Sequence, residues 1–183
     1  LGRISVYLRN LSALALTLTP LIISVLLWPY VSSDGVVISN ITLPLGFNLN
    51  LQADALAVFM ASVSSFISAL IVVYSFSYIS HYKNQNEYYL MVVLFVAAMM
   101  GLVYSANLIF LYIFWEITAI ASWRLIGFFR NKEYVLKADK AFMITVFGAL
   151  LMLLGFVMIY TQIGSFDIPV IKEAIKTNPL SGL

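Results

Sequence analysis

Cysteine is absent from this chain and histidine occurs once. Disulfides, iron–sulfur ligation and thiol-linked haem are therefore excluded, and a single imidazole offers no transition-metal ligand set. Charge is scarce as well. Asp, Glu, Lys and Arg make up 10% of residues, against about 25% in an ordinary globular domain. That scarcity excludes a soluble catalytic domain. The net charge of +2 is too small to argue for nucleic acid, and none is expected as a partner. No nucleophile–base arrangement, phosphate loop or quinone-specific pattern is present, so no cofactor and no metal is expected.

What remains is apolar. Hydrophobic residues make up 62% of the chain, and the mean hydropathy is +0.98. This composition predicts an all-α integral membrane protein in contact with the lipid bilayer. Its 183 residues leave room for about five spans of ~20 residues. The apolar runs place them near residues 11–30, 55–79, 88–103, 107–129 and 141–162. Pro20 falls within the first and predicts a kink or break. The run over residues 88–129 is too long for one span, and Tyr104-Ser105-Ala106-Asn107 divides it. Residues 31–54 read as an extracytoplasmic loop. Within that loop, Val36-Val37-Ile38 and Phe47-Asn48-Leu49-Asn50-Leu51 predict a small β-hairpin. Residues 164–183 read as a surface tail with an amphipathic segment from Ile168 to Thr177. The chain begins at Leu1 rather than methionine, which suggests a fragment or a processed chain. Its first apolar run is too long for a cleaved signal peptide.

Positive charge orients the spans. Arg3, Arg9, Lys83, Arg130, Lys132, Lys137 and Lys140 fall on one side, and Lys172 and Lys176 on the other. The expectation is an integral protein of the cytoplasmic, or another energy-transducing, membrane. Its N-terminus would be cytoplasmic and its C-terminus outside.

Glu116 and Arg124 are the only charges in the run over residues 88–129. A carboxylate at bilayer depth costs roughly 3 kcal/mol on insertion scales. By default it marks a proton or cation path, or a buried partner of opposite charge. Apolar surroundings favour the neutral form of a carboxyl, so Glu116 is placed to load and release protons. The plainer reading is a neutral carboxyl hydrogen-bonded to a neighbouring helix. Arg124 follows two turns later, about 12 Å along the axis and about 80° around it. The two side chains cannot pair directly without water. Arg124 is near enough to the membrane surface to snorkel, or to take part in an ion path or a subunit contact. Lys140, read as opening the fifth helix, is either an interfacial anchor or a path residue. His81 is either a solvated interfacial histidine or a proton entry. Asp54 is read as a helix cap. The cluster Ser62, Ser64, Ser65 and Ser68 permits close helix packing or lines a hydrated face.

Four segments carry a family resemblance. FWEITAIASWRLIGFF (114–129), DALAVFMASVSSFISALIVVYSFSYI (54–79), LFVAAMMGLVYSANLIFLYIFWE (94–116) and KADKAFMITVFG (137–148) lie in register. Together they resemble the antiporter-like subunits of respiratory complex I, Mrp-type sodium/proton antiporters and membrane-bound hydrogenases. The resemblance implies part of an antiporter-like bundle with inverted-repeat ancestry, spanning the second to sixth helices of a full subunit. It implies a membrane subunit of a hetero-oligomeric redox-driven or antiporter-type complex. Glu116 then takes the place of the family's proton-path glutamate, and Lys140 matches a lysine in its Lys-Ala-Phe segment. The chain departs from the family at Arg124, where an apolar residue is usual. Val146 and Ala149 stand where the NADH-dehydrogenase branch has arginine and aspartate. The lysine-bearing seventh helix is not among these residues. The alternative expectations are a truncated paralogue acting as a non-conducting scaffold between larger subunits, and an unrelated small carrier.

Overall fold

The structure, a computed structural model, describes residues 5–33, 35–42 and 48–177. Arg3, Asp34, Phe47 and tail residues 178–183 lie outside the described residues. The chain forms α1 (Val6–Val31), β1 (Val37–Thr42), β2 (Asn48–Ala53), α2 (Ala55–Tyr78), α3 (Gln85–Tyr104), α4 (Leu108–Ile126), α5 (Lys132–Ile163) and α6 (Ile168–Thr177). A short 3₁₀ turn, Ile79–His81, closes α2. Five of the helices are long and apolar enough to cross a membrane. The protein is an all-helical integral membrane protein apart from its small hairpin.

Helix ends follow from local chemistry. Asp54 caps α2, its carboxylate accepting from the Ala57 N–H at 2.8 Å. Asn107 caps α4 in the same way, accepting from Ile109 N–H at 2.9 Å. Gly164 ends α5 in the left-handed conformation, φ 79°, with its N–H on the Tyr160 carbonyl at 2.7 Å. Glycine meets that demand without the steric cost of a Cβ.

Two expectations need correction. α1 is not broken at Pro20 but runs on through both Pro20 and Pro29. Each proline removes only one backbone donor, and in an apolar medium the remaining groups have no better partner than their own helix. The fifth helix starts at Lys132, nine residues before the expected 141. Its charged opening, Lys132 to Lys140, reads as loop by charge alone. Six of those nine residues, Lys132, Glu133, Leu136, Lys137, Ala138 and Lys140, are nonetheless good helix formers. Lys137 also bonds Glu133 one turn back at 2.6 Å. The 32 residues of α5 extend about 48 Å, well beyond a hydrocarbon core of about 30 Å. Charge here marks where the helix leaves the membrane, not where it stops. Lys140 therefore lies inside α5 and does not open it.

Consecutive helices pack side by side, α1 on α2, α2 on α3, α3 on α4 and α4 on α5, with α1 also touching α3. Many of the buried residues at these contacts are small, among them Ala13, Thr17, Ala57, Ala61, Ser65, Ala69 and Ser75, beside larger ones such as Val72, Tyr89 and Val92. Their hydroxyls are satisfied within their own helices, as with Ser65 on the Ala61 carbonyl and Thr17 on the Ala13 carbonyl. Such residues let backbones approach closely where no aqueous hydrophobic effect drives association. Of the serine cluster of α2, Ser65 is buried in this packing, while Ser62, Ser64 and Ser68 are half-buried. Ser62 and Ser68 likewise bond carbonyls four residues earlier.

β1 and β2 pair antiparallel, with Val37 opposite Ala53 and Thr42 opposite Asn48. The hairpin sits beside the α3–α4 turn. Ala106 N–H donates to the Asn50 carbonyl, Leu108 N–H to Phe166 and Ile168 N–H to Ala106, all between 2.8 and 2.9 Å. Asp167 ties the knot. Its carboxylate accepts from the Asn107 amide at 2.8 Å and the Asn50 amide at 3.1 Å.

Candidate functional site

Glu116 lies near the centre of α4, eight residues from Leu108 and ten from Ile126. Its Oε1 is buried and, among the described residues, has no hydrogen-bond partner. An unmade bond at a buried polar atom costs about 1–3 kcal/mol. Tyr112 stands one turn earlier on the same face of α4. No bond of acceptable geometry from it reaches Oε1. On the α3 side, a Cβ on Gly101 would meet the Phe114 ring at 2.5 Å, so a larger residue there requires that ring to move.

The other expected site residues do not gather around Glu116. Arg124 does not snorkel to solvent. Its Nε donates to the Glu87 carboxylate of α3. The second oxygen of Glu87 takes Nη2 of Arg130 at 2.8 Å. The Glu87 and Arg124 side chains are 24% and 30% exposed, so this pair is partly shielded and screened less than a surface pair. Lys140 is exposed. Its neighbour Asp139 accepts from Trp123 Nε1 at 2.9 Å, and Phe142 packs on the Trp123 ring. Lys140 is thereby level with Trp123, about 10 Å along the α4 axis from Glu116. His81 ends the 3₁₀ turn, exposed. No group of three or more metal-ligating side chains occurs among the described residues.

Glu87 escapes a reading of the apolar run because it stands one residue outside it. A signal is nevertheless present. α3 and α4 are joined by a three-residue turn, and an antiparallel helical hairpin sets residues equidistant from its turn side by side. Glu87 lies seventeen residues before the last residue of α3, Tyr104, and Arg124 sixteen after the first of α4, Leu108, a near match. Asp167, which joins three segments, carries no such signal, because its partners come from distant parts of the chain.

Two family profiles match the chain. The one described as "NADH:quinone oxidoreductase/Mrp antiporter, TM" covers residues 105–182. The one described as "NADH-Ubiquinone oxidoreductase (complex I), chain 5 N-terminus" covers residues 41–89. A Na(+)/H(+) antiporter subunit of Alkalihalophilus pseudofirmus is 37% identical over 164 residues, 85% of this chain and 20% of that protein. A Na(+)/H(+) antiporter subunit of Staphylococcus haemolyticus is 40% identical over 116 residues, 63% of this chain and 14% of that protein. The chain thus spans a fifth or less of the length of the curated relatives it matches. The fold is similar to a chain of an archaeal respiratory complex, the membrane-bound sulfane sulfur reductase. There the TM-score is 0.77 at 22% identity, covering 88% of this chain and 25% of that one. It is also similar to a chain of the Mrp complex from Dietzia sp. DQ12-45-1b, with TM-score 0.71 at 22% identity, over 92% of this chain and 21% of that one. Taken with the five spans and their order, these matches place the chain in the family of antiporter-like membrane subunits found in Mrp antiporters and complex I-type oxidoreductases.

Proposed function

We propose that this chain contributes to proton or sodium translocation within a larger membrane complex, and that Glu116 is its proton relay. The carrying observation is the buried, unpartnered Oε1 of Glu116 in the middle of a spanning helix. A carboxyl that is fully hydrogen-bonded or ion-paired resists a change of protonation state. One with an open acceptor, in a medium that penalises charge, exchanges a proton with whatever water or group reaches it. The relay loads a proton at Oε1 from one side and releases it to the other.

Arg124 is held by Glu87 and stands outside the proposed path, serving to fix α3 against α4. Lys140 and His81 also fall outside it, each being exposed and displaced from Glu116. The partners are other membrane subunits. The N-terminus faces the cytoplasm on the strength of the lysine and arginine distribution. The similarity to Na(+)/H(+) antiporter subunits supports the ion-transport reading over a purely architectural one.

The test is Glu116→Gln in the assembled complex, with proton and sodium flux followed in sealed vesicles. Flux should fall about 100-fold, the scale on which a positioned proton-transfer group contributes. Full flux in the variant, with the complex intact, would leave the scaffold reading standing instead.

A further inference from the structure

Arg9 opens α1 and is 9% exposed, yet among the described residues no carboxylate pairs with it. Its neighbours are neutral. Nε and Nη2 donate to the Asn10 amide at 3.1 and 3.0 Å, Nη2 also to Gln85 at 2.8 Å, and Nη1 to Asn86 at 3.0 Å. The guanidinium lies over the Tyr89 ring, 4.9 Å from its centroid. These contacts use four of the five N–H groups of an arginine, and one Nη1 hydrogen is left. They orient the guanidinium but leave its charge uncompensated. Buried charge normally has a counter-ion.

Beside Arg9 a cleft of about 160 Å³ opens between α1 and α3. α1 and α3 run in the same direction from this end, so the lining changes with depth. Arg9, Ser12 and Asn86 come first. Leu16, Leu90 and Val93 follow, up to about 10 Å deeper at 1.5 Å per residue. Leu16 and Leu90 are 56% and 61% exposed and face outward from the bundle. A cation at the membrane surface above an outward-facing apolar groove matches one kind of molecule, with an anionic head and a hydrocarbon chain.

We infer that the α1–α3 cleft is a binding site for an anionic phospholipid, its phosphate held by Arg9 and the side-chain NH₂ of Asn86, its acyl chain laid along Leu16, Leu90 and Val93. Arg9 suits the head because its positive charge has no counter-ion among the described residues and one Nη1 hydrogen remains to donate to a phosphate oxygen. The four hydrogen bonds to Asn10, Gln85 and Asn86 fix the guanidinium in place before the lipid arrives. The lipid would also join the entry turns of α1 and α3. This inference does not depend on the role of Glu116.

The assembled complex is purified in mild detergent, supplied with phosphatidylglycerol or phosphatidylcholine, and its retained lipids are counted by native mass spectrometry. Phosphatidylglycerol should be retained about tenfold more tightly at one site, a difference of one decade in Kd. Arg9→Gln should retain one phosphatidylglycerol fewer per complex. Leu90→Trp, which fills the apolar part and leaves the Arg9 bonds untouched, should lose the same lipid, and it decides the matter if Arg9→Gln fails to assemble. Inorganic phosphate should not displace the lipid. Equal retention of the two lipids by the unaltered complex would overturn the inference. So would an unchanged lipid count in Leu90→Trp, or displacement by phosphate, which would mark a site for free anions.

Discussion

Glu87 and Glu116 belong to the two helices of one hairpin, α3 and α4, and their surroundings are opposite. Glu87 lies near the end of its span and holds two arginines, Arg124 and Arg130, one on each oxygen. Glu116 lies at mid-span with one oxygen buried and unbonded. The first carboxylate is anchored by its partners in the charged form. The second has no ion-pair partner among the described residues. Glu87 therefore reads as architecture and Glu116 as chemistry, although both are glutamates on adjacent helices. The same contrast applies to Arg124. A cation in an apolar run looks like a path residue until its counter-ion is found.

The largest expected effect on stability comes from breaking the anchored carboxylate. Glu87→Gln leaves Arg124 charged and partly shielded with no anion. A fully buried pair broken in this way costs about 3–5 kcal/mol and an exposed one under about 1 kcal/mol. With both side chains about one quarter to one third exposed, about 2 kcal/mol is expected between those limits. Thermal unfolding of the detergent-solubilised complex should show a clear drop in Tm. Adding Arg124→Leu, which restores the apolar character usual in the resembling subunits, should recover most of it. If Glu87→Gln alone leaves Tm unmoved, the pair is ornamental and the contrast with Glu116 weakens.

A smaller effect is expected at the hairpin end, where the ties are hydrogen bonds between polar groups. Asp167→Asn converts an acceptor of two amide bonds into a group that must turn its own oxygen to keep either. About 1–2 kcal/mol is expected, the worth of a charge-assisted bond weakened to a neutral one. Hydrogen exchange is the sharper readout. Amides of Ala106, Leu108 and Ile168, which stitch this end together, should exchange faster, while those in the middle of α2 stay protected. Uniform acceleration across α2 as well would mean that Asp167 supports the whole bundle.

Much of this architecture is legible in the residues, for identifiable reasons. Spans follow from apolar runs because a backbone in lipid has no alternative to the helix. The Asp54 cap and the break at Tyr104-Ser105-Ala106-Asn107 follow from residues whose side chains compete for backbone donors. The start of α5 is illegible because charge signals the membrane boundary, and a helix ignores that boundary when its residues favour helix on both sides, as Lys132 to Lys140 do. Glu116 is legible as a costly residue but not as an unpartnered one. Isolation is a property of everything around it, and only packed helices reveal that. Arg9 and Asp167 look like a flank and a terminus, since their partners lie 76 and 117 residues away in the chain.

The smallest expected effect on stability is at Glu116 itself, and its sign separates the two glutamates most sharply. Replacing a buried carboxyl that lacks a partner on Oε1 breaks no hydrogen bond made by that oxygen. Glu116→Gln keeps the shape and substitutes an amide, whose NH₂ can turn to find a carbonyl or the Tyr112 oxygen one turn away. The complex should therefore keep its Tm or gain up to about 1 kcal/mol, the scale of one net hydrogen bond, while ion flux collapses. Glu87→Gln should do the reverse, lowering Tm with flux falling only as far as intact complex is lost. Measured on the same preparations, Tm and flux form two axes, and each variant should move along one of them. Residues kept at a cost to stability are expected where function needs them. If Glu116→Gln destabilises as much as Glu87→Gln, then Glu116 is anchored by something outside these helices, and the relay must be sought at whatever anchors it.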